Sequence, residues 1–394
     1  MIPNASLCLP RHDNARAKQI AGDAQHKLER GEPLAPLPSI DPRAVSISGY
    51  SSGGTASTAF HLEHARRLLG SASFGGSGLL ETCSDLRNEY CPRGRDHTYK
   101  LRVEGRTMCD GCRCNDTAIE RHSTQRKPDK HSVCQSEWWP AGEEAHRQVH
   151  RELLLHVQLR LSGGMHAAAT RHAFARDGLR RTRLYLFRGA SDPLVTPSHA
   201  ALVGEVFRAL GANVSFRNST PVECGHCWPH VATEPTALLP TVGGDDGAVQ
   251  CCGIDGPGEA LEHLHGPALL PPRQPPSPAE ALRLQRQLRA VTLPVTAPHY
   301  PGRNLSAFLY VPTRCETWGA LPRSCALHVA LHGCVARNYY AAAVASTSFN
   351  AWGEANNIVI AWPYIGGCWD ERPGLSRVIE VAINTLTGGA WSAL

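Results

Sequence analysis

The chain has 394 residues, 42% of them hydrophobic, with a formal net charge of +5 spread along it and 20 histidines. That is ample for a core, and the charge is too diffuse to argue for a nucleic-acid partner. No apolar run approaches the ~20 residues that span a bilayer, so no membrane partner is expected. The N-terminal MIPNASLCLPRHDNARAK lacks an apolar signal region, and no signal peptide is visible. Fifteen cysteines point to an oxidising compartment all the same, and N-x-S/T sequons at Asn4, Asn115, Asn213, Asn218 and Asn304 fit one. The expected protein is extracellular, monomeric and without a cofactor.

Residues 1–40 are polar and proline-bearing and read as a loose N-terminal arm. Val45, Ser46, Ile47 and Ser48 then form a short buried strand, and Gly49-Tyr50-Ser51-Ser52-Gly53 has the G-x-S-x-G form of a nucleophile elbow. A serine on a sharp strand-to-helix bend needs flanking residues without a Cβ, or the backbones collide. Ser51 has glycines at both flanking positions and Ser52 does not, so Ser51 is the candidate nucleophile and the Ser52 N–H a candidate oxyanion donor. Thr55 to Leu69 reads as the following helix, with His61 and His64 on a solvated face, and Ala72 to Gly76 as the next strand.

From about 84 to 140 the chain is basic and polar and reads as a cysteine-rich insertion. CDGCRC, with His122, His131 and Cys134, invites a zinc reading, but the second CxxC of a zinc ribbon is missing; disulfides in an inserted loop are the alternative. Glu144 to Leu161 has helical spacing. Arg183 to Arg188 is a strong strand and runs into Gly189-Ala190-Ser191-Asp192, where an aspartate just past the strand end suits the acid of a Ser-His-Asp triad. A helix over Pro197 to Leu210 and a strand over Asn213 to Arg217 follow. In ECGHCWP, His226 suits the general base in the chain order Ser51, Asp192, His226. The same motif also admits a thioredoxin-type redox pair, or a structural disulfide beside an ordinary histidine.

A helix-like GEALEHLHG precedes a proline-rich linker at 266–278 and an amphipathic helix over Ala279 to Arg289. The last third restarts an α/β pattern: strands over Leu305 to Val311, Ala326 to Leu331 and Ile358 to Trp362, with a helix over Tyr340 to Asn356. Such continuous apolar strands suit a mostly parallel sheet with helices on both faces. His332-Gly333-Cys334, directly after a strand, has the form of an esterase oxyanion loop. In an ordinary hydrolase that strand precedes the elbow, whereas here it follows by nearly 300 residues. The reading is a circularly permuted α/β-hydrolase domain over 41–394, with the proline linker at the joint.

ISGYSSGG, the RGASD loop, the GH-x-WP histidine loop, CALHVALHGC, and AWGEANNIVIAWP with GCWD together resemble the extracellular poly(3-hydroxybutyrate) depolymerases, above all the circularly permuted single-domain fungal type and its animal relatives. The resemblance implies a serine esterase that cleaves short-chain hydroxyalkanoate polyesters or oligomers. It implies Ser51 as nucleophile, Asp192 as orienting acid, His226 as base, and the Ser52 and Cys334 backbone N–H groups as oxyanion donors. Tyr50, in the elbow, and Trp369, in GCWD, are the expected substrate-binding residues, although a core tryptophan also suits the latter position. The same pattern implies disulfides Cys315–Cys325 and Cys334–Cys368. A general secreted carboxylesterase of feruloyl or acetylxylan type, and an inactive disulfide-rich binding protein, are the competing readings.

Overall fold

The computed structural model describes residues 28, 31–33, 40–76, 98–103, 106–113, 178–192, 195, 197–218, 224–230, 249–251, 253–272, 284, 287–294, 304–316, 325–334, 340, 343–344, 347–369 and 375–394; between 98 and 113 only the backbone is described. In chain order the strands are β1 (Glu32–Pro33), β2 (Ile40–Tyr50), β3 (Gly70–Phe74), β4 (Thr98–Val103), β5 (Arg106–Arg113), β6 (Arg183–Arg188), β7 (Asn213–Asn218), β8 (Trp228–His230), β9 (Val249–Cys251), β10 (Leu288–Leu293), β11 (Leu305–Tyr310), β12 (Cys325–Leu331) and β13 (Ile358–Tyr364). The helices are α1 (Ser52–His64), α2 (Pro197–Ala209), α3 (Gly256–His265), α4 (Thr313–Glu316), α5 (Phe349–Asn356) and α6 (Leu375–Leu386).

The main sheet has nine strands in the order β1-β10-β11-β13-β12-β2-β3-β6-β7. From β13 through β12, β2, β3 and β6 to β7 every neighbouring pair is parallel, and β11 runs antiparallel to both β10 and β13. This is an α/β-hydrolase-like sheet entered in its middle. The chain lays down the elbow strand β2 and its neighbours on one side first. The other half of the sheet, including β12 against β2, is supplied by the last third of the chain.

Side-chain alternation splits the sheet into two cores. Val45 and Ile47 of β2, Leu327 and Val329 of β12, and Val359 and Ala361 of β13 pack on one face with Phe60 of α1 and Ile379 and Ile383 of α6. Ala330, Ile358, Ile360 and Trp362 pack on the other with Leu261 and Leu264 of α3 and Phe349 and Trp352 of α5. On β6, Leu184 and Leu186 meet Val203, Val206 and Phe207 of α2, whereas Tyr185 and Phe187 belong to the opposite face.

The structure departs from the sequence reading at several elements. The helix expected over Ala279 to Arg289 gives way at its end to β10, where Leu288 and Arg289 pair with Tyr310 and Leu309. Two residues of the expected arm, Glu32 and Pro33, extend the sheet by pairing with Val291 and Thr292, and β2 begins at Ile40. β13 runs through Pro363 to Tyr364. The proline lies beyond the last β12 pairing, at Ala361, so on that side its missing N–H breaks no ladder bond. His61, expected on a solvated face of α1, is fully buried, its Nδ1 2.9 Å from the Ser71 hydroxyl of β3. Helix α6 has no counterpart in the sequence reading, although Val378, Ile379, Ala382, Ile383 and Leu386 carry its apolar stripe. The helix expected over Glu144 to Leu161 and the cysteine side chains of CDGCRC lie outside the described residues.

Candidate active site

Ser51 sits between β2 and α1 with φ 54° and ψ −121°; apart from glycine, only Asn357 shares a positive φ among the described residues. Its N–H donates to the Phe74 carbonyl of β3 at 2.9 Å. A Cβ on Gly49 would lie 2.1 Å from the Gly53 carbonyl carbon, and one on Gly53 would lie 2.4 Å from the His332 oxygen. The two flanking glycines are therefore demanded by backbone on backbone, and the strained turn they permit lifts Ser51 off the end of β2.

Asp192 follows β6, as the sequence suggests, and the loop is tied down by a residue that sequence reasoning missed. The buried Arg188, at the end of β6, donates to the carbonyls of Val195 at 2.7 Å, Asp192 at 3.3 Å and Ala190 at 3.4 Å. The Val195 N–H donates to Asp192 Oδ1 at 3.0 Å, and His226 Nδ1 lies 2.9 Å from Asp192 Oδ2. The Ser191 N–H donates to the Cys224 carbonyl, so the aspartate and histidine loops are bonded to each other. With Nδ1 committed to the carboxylate, His226 Nε2 is left as an acceptor; it is buried and has no hydrogen-bond partner among the described residues.

Two neighbours of the elbow locate this pair. The Tyr50 hydroxyl donates to the His226 carbonyl at 2.9 Å, and the Tyr50 ring lies 5.0 Å from the imidazole and 4.9 Å from Trp228. Gly75, one residue beyond the carbonyl that holds Ser51, has φ +60°, and a Cβ there would lie 2.9 Å from His226 Nδ1 and 3.2 Å from Asp192 Oδ2. The structure thus packs the Asp192–His226 pair against the two segments that carry the serine. Cys224 is disulfide-bonded, and to a cysteine other than Cys227, so CGHC is not a redox pair closed on itself.

Ser52 opens α1, where an N–H has no acceptor in the helix ladder. Its Oγ accepts from the Trp369 N–H at 3.3 Å. Cys334, just after β12, is bridged to Cys368, and Cys315 to Cys325. The first bridge brings the loop after β12 together with the loop that follows β13. His332 sits between them: its Nδ1 is 2.7 Å from the Gly333 carbonyl, and its Nε2 accepts from the Ile365 N–H at 3.0 Å. Burial drives its pKa down to about 4.

Both expected substrate-binding residues are enclosed. Tyr50 is 5% exposed and its hydroxyl is bonded to the histidine loop. Trp369 is 2% exposed and packed in a core cluster with its ring 5.6 Å from His332, which fits the core-tryptophan alternative. The adjoining Cys368 bridge and the bond to Ser52 draw it inward. Under the elbow strand, Ser46 and Ser48 each bond one nitrogen of the fully buried His328 at 2.8 Å, and Ser46 also meets His265 at 2.9 Å. These residues alternate with apolar ones along β2 and β12, which was the available signal. Among the described residues no group of His, Cys, Asp or Glu side chains is placed to hold a metal ion, and no helix is long and apolar enough to cross a membrane.

No family model matches the chain. Among curated proteins it is 26% identical over 223 residues to a polyhydroxybutyrate depolymerase of Talaromyces funiculosus, a match that covers 49% of this chain and 59% of that protein. It is also 26% identical over 205 residues to a poly(3-hydroxybutyrate) depolymerase of Delftia acidovorans, covering 49% of this chain and 37% of that one. The chain is a relative of the polyhydroxybutyrate depolymerases. Among solved structures, the crystal structure of the PHB depolymerase from Penicillium funiculosum matches with a TM-score of 0.55 at 18% identity, over 90% of this chain and 98% of that one. A serine-to-alanine PHB depolymerase complexed with an R3HB trimer matches equally well. The depolymerase likeness by structure carries the fold. The matches by sequence span about three fifths and just over a third of those two depolymerases' own lengths.

Proposed function

We propose that the chain is a serine carboxylic ester hydrolase acting on poly(3-hydroxybutyrate) or related short-chain hydroxyalkanoate esters, through Ser51, His226 and Asp192. The observation that carries this reading is the Asp192–His226 pair at 2.9 Å, packed against the strained Ser51 elbow. The relatives' names supply the substrate class. His226 Nε2 takes the Ser51 hydroxyl proton as Ser51 Oγ attacks the ester carbonyl. Asp192 holds the Nδ1–H tautomer and stabilises the imidazolium. The developing oxyanion is received by the Ser52 and Cys334 N–H groups, collapse expels the alcohol with the proton from His226, and water then releases the acid and regenerates Ser51.

The enclosed Trp369 favours one refinement: soluble oligomers and small esters in preference to a polymer surface. The Cys315–Cys325 and Cys334–Cys368 disulfides and the high cysteine count support an extracellular location, and the enzyme is read as a monomer.

The deciding experiment is to label the purified protein with a fluorophosphonate and map the adduct. An adduct on Ser51, lost in Ser51→Ala, is expected. A folded protein that takes up no label would overturn the hydrolase reading in favour of a binding protein, and an adduct on Ser52 would move the nucleophile by one residue. Parallel assays on polyester granules, hydroxybutyrate oligomers and aryl esters separate the substrate classes.

A further inference from the structure

We propose that His332 is a positioning residue of the oxyanion site, fixing the direction of the Cys334 N–H by holding the other end of the same peptide unit. This rests on the reading of Cys334 as an oxyanion donor.

The argument starts with the hydrogen bonds of the ring. Ile365 offers His332 Nε2 an N–H, which can only donate, so Nε2 must be the bare nitrogen. The ring proton is then on Nδ1, and it donates to the Gly333 carbonyl oxygen at 2.7 Å. That oxygen and the Cys334 N–H belong to one peptide plane. In a trans peptide the C=O and N–H point in opposite directions. A bond that anchors the Gly333 oxygen therefore sets where the Cys334 hydrogen points, and opposes rotation of the plane. Accepting a hydrogen bond at the oxygen also polarises the N–H of the same unit.

The ring is itself held. His332 is fully buried, with Tyr340, Tyr364 and Trp369 rings around it at 5.5 to 5.6 Å. Burial keeps it neutral, the only state in which one nitrogen donates and the other accepts. The Ile365 bond ties the imidazole to the end of β13. The Cys334–Cys368 bridge ties the next residue but one to the loop that follows. The Cys334 peptide is thus fixed from both sides, by a side chain before it and a bridge at it.

Two substitutions separate the two ring nitrogens. His332→Asn places an amide nitrogen near the Nδ1 position and keeps the donor to Gly333, so it loses only the Ile365 contact. His332→Gln keeps an acceptor near the Nε2 position and loses the donor. With p-nitrophenyl butyrate as the probe, His332→Gln is expected to lower kcat about 100-fold with KM within about twofold, the size of a lost oxyanion donor. His332→Asn is expected to lose about tenfold. Full activity in His332→Gln would overturn the inference. So would equal losses in both variants that track equal falls in Tm, since that is a packing role alone. Should His332→Gln fail to fold, nitrogen-15 spectra of the histidine-labelled wild-type protein carry the test: a proton on Nδ1 and a bare Nε2 are expected, and the reverse tautomer overturns the inference. A wild-type protein that hydrolyses no ester and takes no fluorophosphonate on Ser51 overturns the hydrolase reading, and the positioning role with it. A labelled, active wild type beside a fully active His332→Gln overturns this inference alone.

Discussion

Ser51 occupies a backbone conformation that residues with a Cβ rarely adopt, and the cost of holding it there, about 1–3 kcal/mol, is met by the packing of Gly49 and Gly53. That makes the site brittle at single residues. Ser51→Ala should abolish ester turnover and fluorophosphonate uptake while leaving the thermal midpoint unchanged. Asp192→Asn should keep the fold and lower kcat by about 10,000-fold, because an amide presents the wrong partner to His226 Nδ1; an unchanged rate would remove Asp192 from the mechanism. Gly75→Ala pushes a methyl into the Asp192–His226 pair and should lower kcat about 100-fold, read by steady-state kinetics. The Ser51 turn and the Asp192–His226 contact of the candidate site were legible in the sequence because each residue lies beside a local signal: flanking glycines, the end of an apolar strand, a histidine between cysteines. Arg188 and His332 were not legible in their roles. Their partners are backbone carbonyls and amides, which leave no trace in residue types.

At the scale of elements, the Cys315–Cys325 and Cys334–Cys368 disulfides do different work. The first closes a span of 10 residues between α4 and β12, away from the serine, and the second closes a span of 34 that joins the two loops around His332. Chain entropy assigns them about 3 and about 4 kcal/mol. Cys315→Ala paired with Cys325→Ala should lower Tm and leave kcat near wild type. Cys368→Ala should lower both, and a normal kcat in that variant would detach the bridge from the site. Strands were the most legible elements, β6 to the residue and β11, β12 and β13 to within two, since β11, β12 and β13 are nearly continuous apolar runs and β6 is a short aromatic-rich one. The overrun of the expected helix into β10 at Leu288 and Arg289 has a physical cause. β10 alternates exposed and buried residues only weakly at its start, so the amphipathic spacing before it reads as a helix carried through. Helix α6 drew no assignment from the sequence, although its stripe is present and Pro373-Gly374 directly before it is a break signal.

For the whole molecule, the buried histidines set the response to acid. His61 is held down to about 3 and His332 to about 4 by burial, and burial also holds His328 well below the usual histidine range. Each takes up a proton in the unfolded chain near pH 6.5 and does not in the folded one. Stability is therefore full above pH 6.5 and is lost as pH falls toward 4, by up to about 1.4 kcal/mol per pH unit for each group. Urea midpoints measured from pH 7.5 to pH 4.5 should fall steadily. His328→Leu with Ser46→Ala and Ser48→Ala, which removes that group and its partners, should flatten the slope.

The strand order bears on how the chain is made as well as on what it becomes. β2 lies in the middle of the sheet, yet its neighbour β12 begins at Cys325, and the Ser46–His328 bond joins residues 282 apart. A ribosome adding 5–20 residues per second reaches β12 roughly 15–60 s after β2 has emerged. For that interval one side of an apolar strand stands with its N–H and C=O groups unmatched, open to any other extended chain. The half of the sheet made first, β2, β3, β6 and β7, must wait with its central edge uncovered, so the yield of folded protein should depend on how well that edge is shielded during synthesis.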